Sequence, residues 1–458
     1  MRVLLVHPHK YEKTIFKGVG ELYHPLGLLY IASTLRERGH MVRLHDEYVD
    51  SGFGRTMQEF RPDVVGIGVT SPLMDRAALL TRIAKGAGAK VIIGGPHVTA
   101  LPAESLEAAE ADAAVVGEGE LVLPDLLDKN WDGIQGLAYR KDHQVIQTGR
   151  APHIEDLDSL PFPARDLCDP RKYRGTGEFG FPIPIGERWL SIIGSRGCPH
   201  RCSFCASPVV HGHAVRQRSV SNIVAEMVEC RERWGTRNFS FLDDTFTLDE
   251  QRVCELSEAL RRTGVKFRWA CFTRVGVSRR TLIAMKKGGC VLVSYGVEGG
   301  AEIRRQVGKG ITREAIVETF RITREVGLRS KAYFMVGLPG ETEADYEEGL
   351  RLAKEIEPDY LWVAMFYPLA GTPLYEELRA EDRGLHTANP GSFFLTTNRD
   401  LMRKHRRFLR QFYVSPRYAH SVLRRASLGE WLYIGKAARA FLMMRLFAAP
   451  VRSEERGV

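Results

Sequence analysis

Short apolar runs punctuate the first 135 residues: RVLLVHP (2–8), VRLHD (42–46), DVVGIGV (63–69), KVIIGG (90–95) and AAVVGEG (113–119). Between them the apolar positions recur at helical spacing, as in LGLLYIASTLRERG (26–39) and DRAALLTRIAKGAG (75–88). Strands that are apolar on both faces, alternating with helices, predict a doubly wound α/β unit with a parallel sheet. GLAYRKDHQVIQTG (136–149) reads as a small hairpin, and IEDLDSLPFPARDL (154–167) as a Pro- and Asp-rich linker. No internal repeat is visible.

A second alternating series starts at WLSIIGS (189–195) and continues through FSFLDD (239–244), FRWACFT (267–273), VLVSYGVEG (291–299), KAYFMVG (331–337) and YLWVAMFYP (360–368). Helix-like stretches such as VSNIVAEMVECRERWG (220–235) and EAIVETFRITREVG (314–327) separate them. Six β/α units fit a barrel or partial barrel, with active groups at the carboxyl ends of its strands. The expected organisation is an α/β unit over 1–135, a hairpin and linker over 136–187, a (β/α)6 partial barrel over 188–384 and a basic helical region over 385–458.

Composition changes this picture little. The chain has 458 residues, 44% of them hydrophobic and 26% charged, which suits two or three globular domains. No stretch offers about 20 apolar residues free of charge, and the N-terminus lacks the features of a secretory signal. The expected compartment is therefore the reducing cytoplasm, where clustered cysteines bind metal more often than they form disulfides.

That matters for SRGCPHRCSFC (195–205), which places Cys198, Cys202 and Cys205 within eight positions in the loop after the first barrel strand. Thiolates select zinc, copper(I) or iron–sulfur clusters. A zinc site would need a fourth ligand, for which His200, His211 and His213 are the nearby candidates. Three thiolates on a cubane cluster would instead leave one iron open to a substrate or cofactor. Cys168, Cys230, Cys254, Cys271 and Cys290 lack metal-type spacing and read as packing residues.

The C-x-x-x-C-x-x-C pattern in CPHRCSFC, with Phe204 before the last cysteine, resembles the radical S-adenosylmethionine (SAM) enzymes. The resemblance covers roughly 189–370. It implies that the three cysteines hold a 4Fe–4S cluster whose open iron binds SAM, which is cleaved to a 5′-deoxyadenosyl radical. It further implies that Asp243 and Asp244 of LDDTF lie near the amino end of SAM, which for two loop acids alone would not follow. By the same resemblance Glu298 of GVEGG approaches the ribose and Gly337 of GLPGET makes a backbone contact to adenine. No catalytic proton donor or acceptor is assigned.

An open α/β sheet binds ligands beyond the carboxyl ends of its strands. There the front unit has TSP (70–72), GGPHVTALPAE (94–104) and GEGE (117–120), with Ser71, Gly94, Gly95, Gly117 and Gly119 as candidate contacts. The turns and the following barrel together resemble the cobalamin-binding radical SAM enzymes, over about 1–370. The lower-ligand motif D-x-H-x-x-G is absent: Leu22 stands two before His24, and His97 reads as a loop residue. Bound cobalamin would then lack a histidine beneath the cobalt.

The resemblance implies a methyltransferase acting on an unactivated carbon of a lipid, tetrapyrrole or natural-product scaffold. One SAM would methylate cobalamin and a second would supply the radical, with an external electron donor such as flavodoxin or ferredoxin. The alternatives are a radical oxidoreductase or cyclase of the same architecture and, from another class, a non-catalytic metal or cobalamin sensor.

The net charge of +9 is concentrated at the end of the chain. Between 399 and 447 twelve basic residues face only Asp400 and Glu430, and EWLYIGKAARAFLMMRLFAAP (430–450) interleaves cations with large apolar side chains. Such a segment suits an anionic membrane surface or a lipid-like substrate, or else a helix packed on the barrel. With no recognisable RNA-binding module, nucleic acid is not expected as a partner.

Overall fold

The computed structural model describes residues 1–9, 24–50, 52–142, 144–169, 172–173, 188–381, 398–425 and 431. The first sheet is built on β1 (Arg2–His7), β2 (Met41–Asp46), β3 (Val64–Gly68), β4 (Lys90–Gly94) and β5 (Ala113–Val115), parallel throughout. Val3 to Val6 are fully buried, as a strand covered on both faces requires. The spatial order β2-β1-β3-β4-β5 reverses direction between β1 and β3, which opens a ligand crevice at their carboxyl ends.

The hairpin β6 (Leu137–Lys141) and β7 (Gln144–Gln147) does not belong to a linker. It continues this sheet antiparallel to β5, with Tyr139 opposite Ala113, making seven strands in all. The Pro- and Asp-rich stretch that follows is packed rather than loose. Ile154, Leu157 and Leu160 cover Leu26 and Tyr30, while Arg165 is buried against Glu226 of the second unit.

That unit contains β8 (Trp189–Ile192), the two-residue strands β9 (Ser195–Arg196) and β10 (Arg216–Gln217), β11 (Asn238–Phe241), β12 (Arg268–Thr273), β13 (Cys290–Glu298), β14 (Arg329–Val336) and β15 (Tyr360–Met365). Six of them form one open parallel sheet in the order β15-β14-β13-β12-β11-β8, the expected partial barrel. Its helices start and stop on local signals. The helix Val220–Trp234 opens with the Ser219 side chain accepting from the Asn222 N–H and closes at Gly235, whose φ is 69°. On β14, Ala332, Phe334 and Val336 join the core with Ile316, Phe320 and Leu350. The alternation of a strand then turns Lys331, Tyr333 and Met335 toward the barrel interior.

The basic region divides. Helix Arg399–Tyr413 lies on the barrel, with Phe408 and Phe412 in its core. Tyr346 Oη donates to the Lys404 carbonyl (2.9 Å), and His405 Nε2 lies 2.9 Å from the Val363 carbonyl. Arg407 pairs with Glu343 at 2.8 Å and with Glu347. Part of the basic cluster therefore fastens the helix to its own barrel. The segment 430–450 lies outside the described residues except for Trp431, which is exposed. No described helix is long and apolar enough to cross a membrane.

Two stability experiments follow from this packing. Phe408 is 2% exposed between Phe334 and Tyr346, so Phe408→Ala should cost about 3–5 kcal/mol in unfolding measurements. A loosely attached tail would give a change within about 0.5 kcal/mol.

His24 is enclosed, its ring 4.4 Å from the tilted ring of Tyr173, and among the described residues its Nε2 has no partner. Burial, with the Arg165 charge assisting, lowers its pKa to about 3, against some opposition from Asp46. The native state keeps it neutral while the unfolded chain takes up a proton near pH 6.5. Stability is therefore undiminished above that pH and falls as the pH drops from 6.5 toward 3, by about 1.4 kcal/mol per unit. Melting curves at pH 7 and pH 5 should show a larger acid loss for the wild type than for His24→Phe. Equal losses would contradict the buried neutral imidazole.

Candidate active site

The chain leaving β8 is held almost residue by residue before it reaches the first cysteine. The Gly194 N–H and the Ser195 hydroxyl donate to the two oxygens of Asp243, at 2.9 and 2.5 Å. The Gly197 N–H donates to Asp244 Oδ2 (3.2 Å), and the Cys198 N–H to the Gly212 carbonyl (3.3 Å). Gly197 has φ +95°, and a Cβ there would lie 2.1 Å from the Ala214 carbonyl oxygen, so this turn admits only glycine. Farther along, the Ser203 N–H donates to the Val307 carbonyl at 3.0 Å, which ties the middle of the loop to the segment after β13.

The three expected thiols meet at this mouth. Cys198 is buried with Sγ 3.5 Å from Thr245 Oγ1, and Cys202 Sγ lies 4.0 Å from Arg274 Nη1. Burial pushes the Cys205 thiol up to about 11, with the charges of Asp244, Cys202 and Cys198 adding to it and the Ser207 N–H opposing. They line the mouth without closing on one point: among the described residues, no three His, Cys, Asp or Glu side chains form a single-ion site. His211 turns Nδ1 to Glu118 (3.3 Å) and His213 turns Nδ1 to the Cys198 carbonyl (3.1 Å). Three soft ligands with cations beside them and these histidine nitrogens directed elsewhere suit a 4Fe–4S cluster with an open iron.

The acids expected beside the cluster have different surroundings. Asp243 is 1% exposed and both its oxygens are taken within the protein, so it shapes the loop instead of facing a cofactor. Burial raises its pKa, with Ser195, Gly194 and Arg252 opposing. Asp244 is half-buried and stands on the thiol side. Glu298 ends β13 in the left-handed region (φ 78°) and pairs with half-buried Lys309 at 2.8 Å. Lys309 in turn lies within the field of Cys202 and Arg274. The Gly337 N–H is already bonded to Glu341 (2.9 Å), and a Cβ on Gly337 would meet Leu401 at 2.5 Å. Its glycine is thus explained by the helix packed upon it, and its N–H is not free for adenine.

In the front unit, the Ser71 hydroxyl and His97 Nδ1 are 3.0 Å apart at the ends of β3 and β4. His97 belongs to the first turn of a short helix, Pro96–Ala100, and not to a loop. Gly94 ends β4. Gly95 has φ +106°, and a Cβ there would lie 2.8 Å from the Val69 carbonyl oxygen. Gly117 has φ +105°, whereas Gly119 starts a helix, where a Cβ would lie 3.1 Å from the end of the Ile31 side chain. The His24 imidazole is enclosed. Small residues and the Ser71 and Thr70 hydroxyls at the crevice suit a large polar-edged ligand such as cobalamin.

The carboxyl ends of the two sheets face each other. Ala100 and Leu101 pack on Ala370 and Tyr375 beyond β15, and a Cβ on Gly371 would touch both Ala100 (3.0 Å) and Val209 (3.1 Å). The front crevice therefore opens beside the cysteine loop. Sequence reasoning did not single out Arg274, Lys309 or Glu118. Arg274 directly follows β12, at a strand end where active groups are expected; Lys309 lies outside every strand end and carries no such signal.

The B12 binding domain family matches residues 12–127 and the Radical SAM superfamily matches residues 192–353. An uncharacterized methyltransferase of Pyrococcus horikoshii is 34% identical over 82% of this chain and 83% of its own length. The anaerobic magnesium-protoporphyrin IX monomethyl ester cyclase of Cereibacter sphaeroides is 29% identical, over 83% of this chain and 64% of its own. The radical SAM methyltransferase TsrM of Kitasatospora setae, solved with cobalamin and a 4Fe–4S cluster, shares the fold. Its TM-score is 0.69 over 84% of this chain and 79% of its own, at 18% identity. Two domains in this order, and a relative matched along most of both lengths, make the chain a member of the cobalamin-binding radical SAM enzymes, which work with a 4Fe–4S cluster, SAM and cobalamin.

Proposed function

We propose that this enzyme transfers a methyl group to an unactivated carbon of a small or lipid-like molecule. The observation that carries the reading is the apposition of the two carboxyl-end faces at Ala100, Gly371 and Val209, which opens the cobalamin crevice beside the cysteine loop. A methyl donor and a radical source used on one carbon must both reach it, and such a junction allows that. The name of the methyltransferase relative points the same way.

When bound, the cluster with SAM supplies a hydrogen-abstracting radical and cobalamin supplies the methyl group. The chain's own groups hold and orient. Cys198, Cys202 and Cys205 are the cluster ligands in this reading, with Asp244 toward the SAM amino group. Glu298, paired with Lys309 through Oε1, is available to SAM hydroxyls through its remaining oxygen. In the barrel interior, the Phe272 and Tyr333 rings lie 5.5 Å apart and tilted, and Lys331 Nζ lies 4.9 Å from the Tyr333 ring and 5.3 Å from the Trp362 ring. An aromatic lining of this kind favours a substrate with a broad apolar body. The reading also requires an external one-electron donor of the flavodoxin or ferredoxin kind.

A second reading, radical ring closure without methyl transfer, is favoured by the cyclase relative. Product mass separates the two. Anaerobic incubation with SAM, cobalamin, reductant and candidate lipids or pigments should yield a product heavier by one CH2. Unsaturation, hydration or ring closure would sink methyl transfer.

Single replacement of Cys198, Cys202 or Cys205 by Ala should abolish both bound iron and release of 5′-deoxyadenosine. Cys230→Ala should leave both largely intact, because Cys230 is buried in the barrel core away from the loop. Full iron content in any of the three loop variants would refute the ligand assignment.

A further inference from the structure

Glu118, at the end of β5 in the front unit, is directed away from its own domain. Its side chain is 1% exposed and surrounded by donors from the barrel unit and from the segment between. Arg216 brackets it with Nη1 on Oε2 and Nη2 on Oε1, both at 2.8 Å. Arg196 Nη1 lies 3.2 Å from Oε1, His211 Nδ1 lies 3.3 Å from it, and the Ile154 N–H donates to Oε2 at 2.8 Å. Glu120 adds a 2.6 Å bond from Arg196 Nη2.

These partners have a common location. Arg196 and Arg216 are paired residues of the two-stranded ribbon β9–β10, and the loop between them, 197–215, carries all three cysteines. Arg196 is two residues before Cys198. His211 closes the short helix Ser207–His211 that follows Cys205. One carboxylate of the front unit thus grips both ends of the cysteine loop. A buried carboxylate bonded to two guanidiniums is strongly ionic, and removing its charge would leave Arg216 enclosed without a carboxylate and Arg196 with Glu120 alone. Burial pushes the Glu118 pKa up, but His211, Arg216, Arg196 and the Ile154 N–H outweigh it and hold the carboxyl well below its usual range.

We propose that Glu118, assisted by Glu120, is a positioning residue for the iron–sulfur site, so that the cysteine loop takes its cluster-holding shape only against the docked front domain. The inference rests on the reading of Cys198, Cys202 and Cys205 as cluster ligands. It gives the front unit a role in the cluster site that is separate from binding cobalamin.

The test uses the full-length, anaerobically reconstituted protein. Wild type, Glu118→Gln, Glu120→Gln and Glu226→Gln are challenged with an iron chelator, and the electron paramagnetic resonance spectrum of the reduced cluster is recorded with and without SAM. Glu226 is the control: it accepts from Arg165 and Arg218 at 2.6 Å each, an equally buried contact across the same junction, but it touches no residue of 197–215. Glu118→Gln should lose iron roughly tenfold faster than wild type and show an altered spectrum with SAM, as expected when a support behind metal ligands is removed. Glu120→Gln, which keeps the Arg216 grip, should fall between the two, and Glu226→Gln should match wild type. Wild-type iron retention in Glu118→Gln, or equal loss in Glu226→Gln, overturns the proposal. If Glu118→Gln does not fold, Glu120→Gln decides in its place: faster loss supports the proposal and a wild-type rate overturns it. Cys202→Ala separates the two levels, since retained iron there would mean that the ligand reading itself is wrong.

Discussion

A carboxylate taken out of water is tolerated only where cations and N–H donors surround it, and that constraint organises the junction between the two halves of this enzyme. Glu118 and Glu226 are both enclosed, and each holds two arginines. The arginines come from different places along the chain: Arg165 from the linker, Arg196 and Arg216 from the ribbon at the base of the cysteine loop, and Arg218 from the approach to the next helix. Tyr30 of the front unit completes the set, accepting from Arg218 (3.2 Å) and lying under the Arg196 guanidinium. A purely apolar junction could slide, whereas paired charges without solvent fix one register. The two carboxyl-end faces are consequently presented to each other in one arrangement.

Within the barrel the same economy appears on a smaller scale. Two adjacent aspartates serve different ends because successive residues leaving a strand point in different directions. Asp243 turns inward and pins Gly194 and Ser195. Asp244 turns toward the thiols and holds the Gly197 N–H through Oδ2. The loop therefore arrives with its first turn already shaped, so that less conformational freedom is lost when the cluster and SAM bind. With Cys198, Cys202 and Cys205 as cluster ligands, as proposed, Arg274 and Lys309 would offset the negative charge of three thiolates.

The helix Arg399–Tyr413 closes the barrel beside β14 and β15. Its cations meet Glu341, Glu343 and Glu347, while Phe408, Phe412 and Leu401 cover apolar surface that the last strands would otherwise expose. In this helix a run of basic residues is the outer face of an amphipathic element whose partner is the protein itself.

Alternation of apolar runs with helical spacing determined both sheets, their parallel sense and the place of the cysteine loop at a strand end, because strand burial and helix amphipathicity are local and periodic. The cysteine spacing likewise marked a thiolate metal site, since ligands from one short loop must be close in space, while the choice of cluster over zinc came from the family resemblance. Other features depended on contacts between distant segments. The hairpin at 137–147 joins the first sheet because β5 offers it an open edge. Gly119 and Gly337 look like ligand turns in sequence, but Gly119 starts a helix beside Ile31 and Gly337, at φ +82°, lies under Leu401. Asp243 and Asp244 are neighbours whose roles separate only once Gly194 and Ser195 return to one of them. The grip of Glu118 on Arg196 and Arg216, residues 78 and 98 positions away, leaves no periodic trace. A buried ion pair is a property of two surfaces meeting, and only the tertiary fold brings them together.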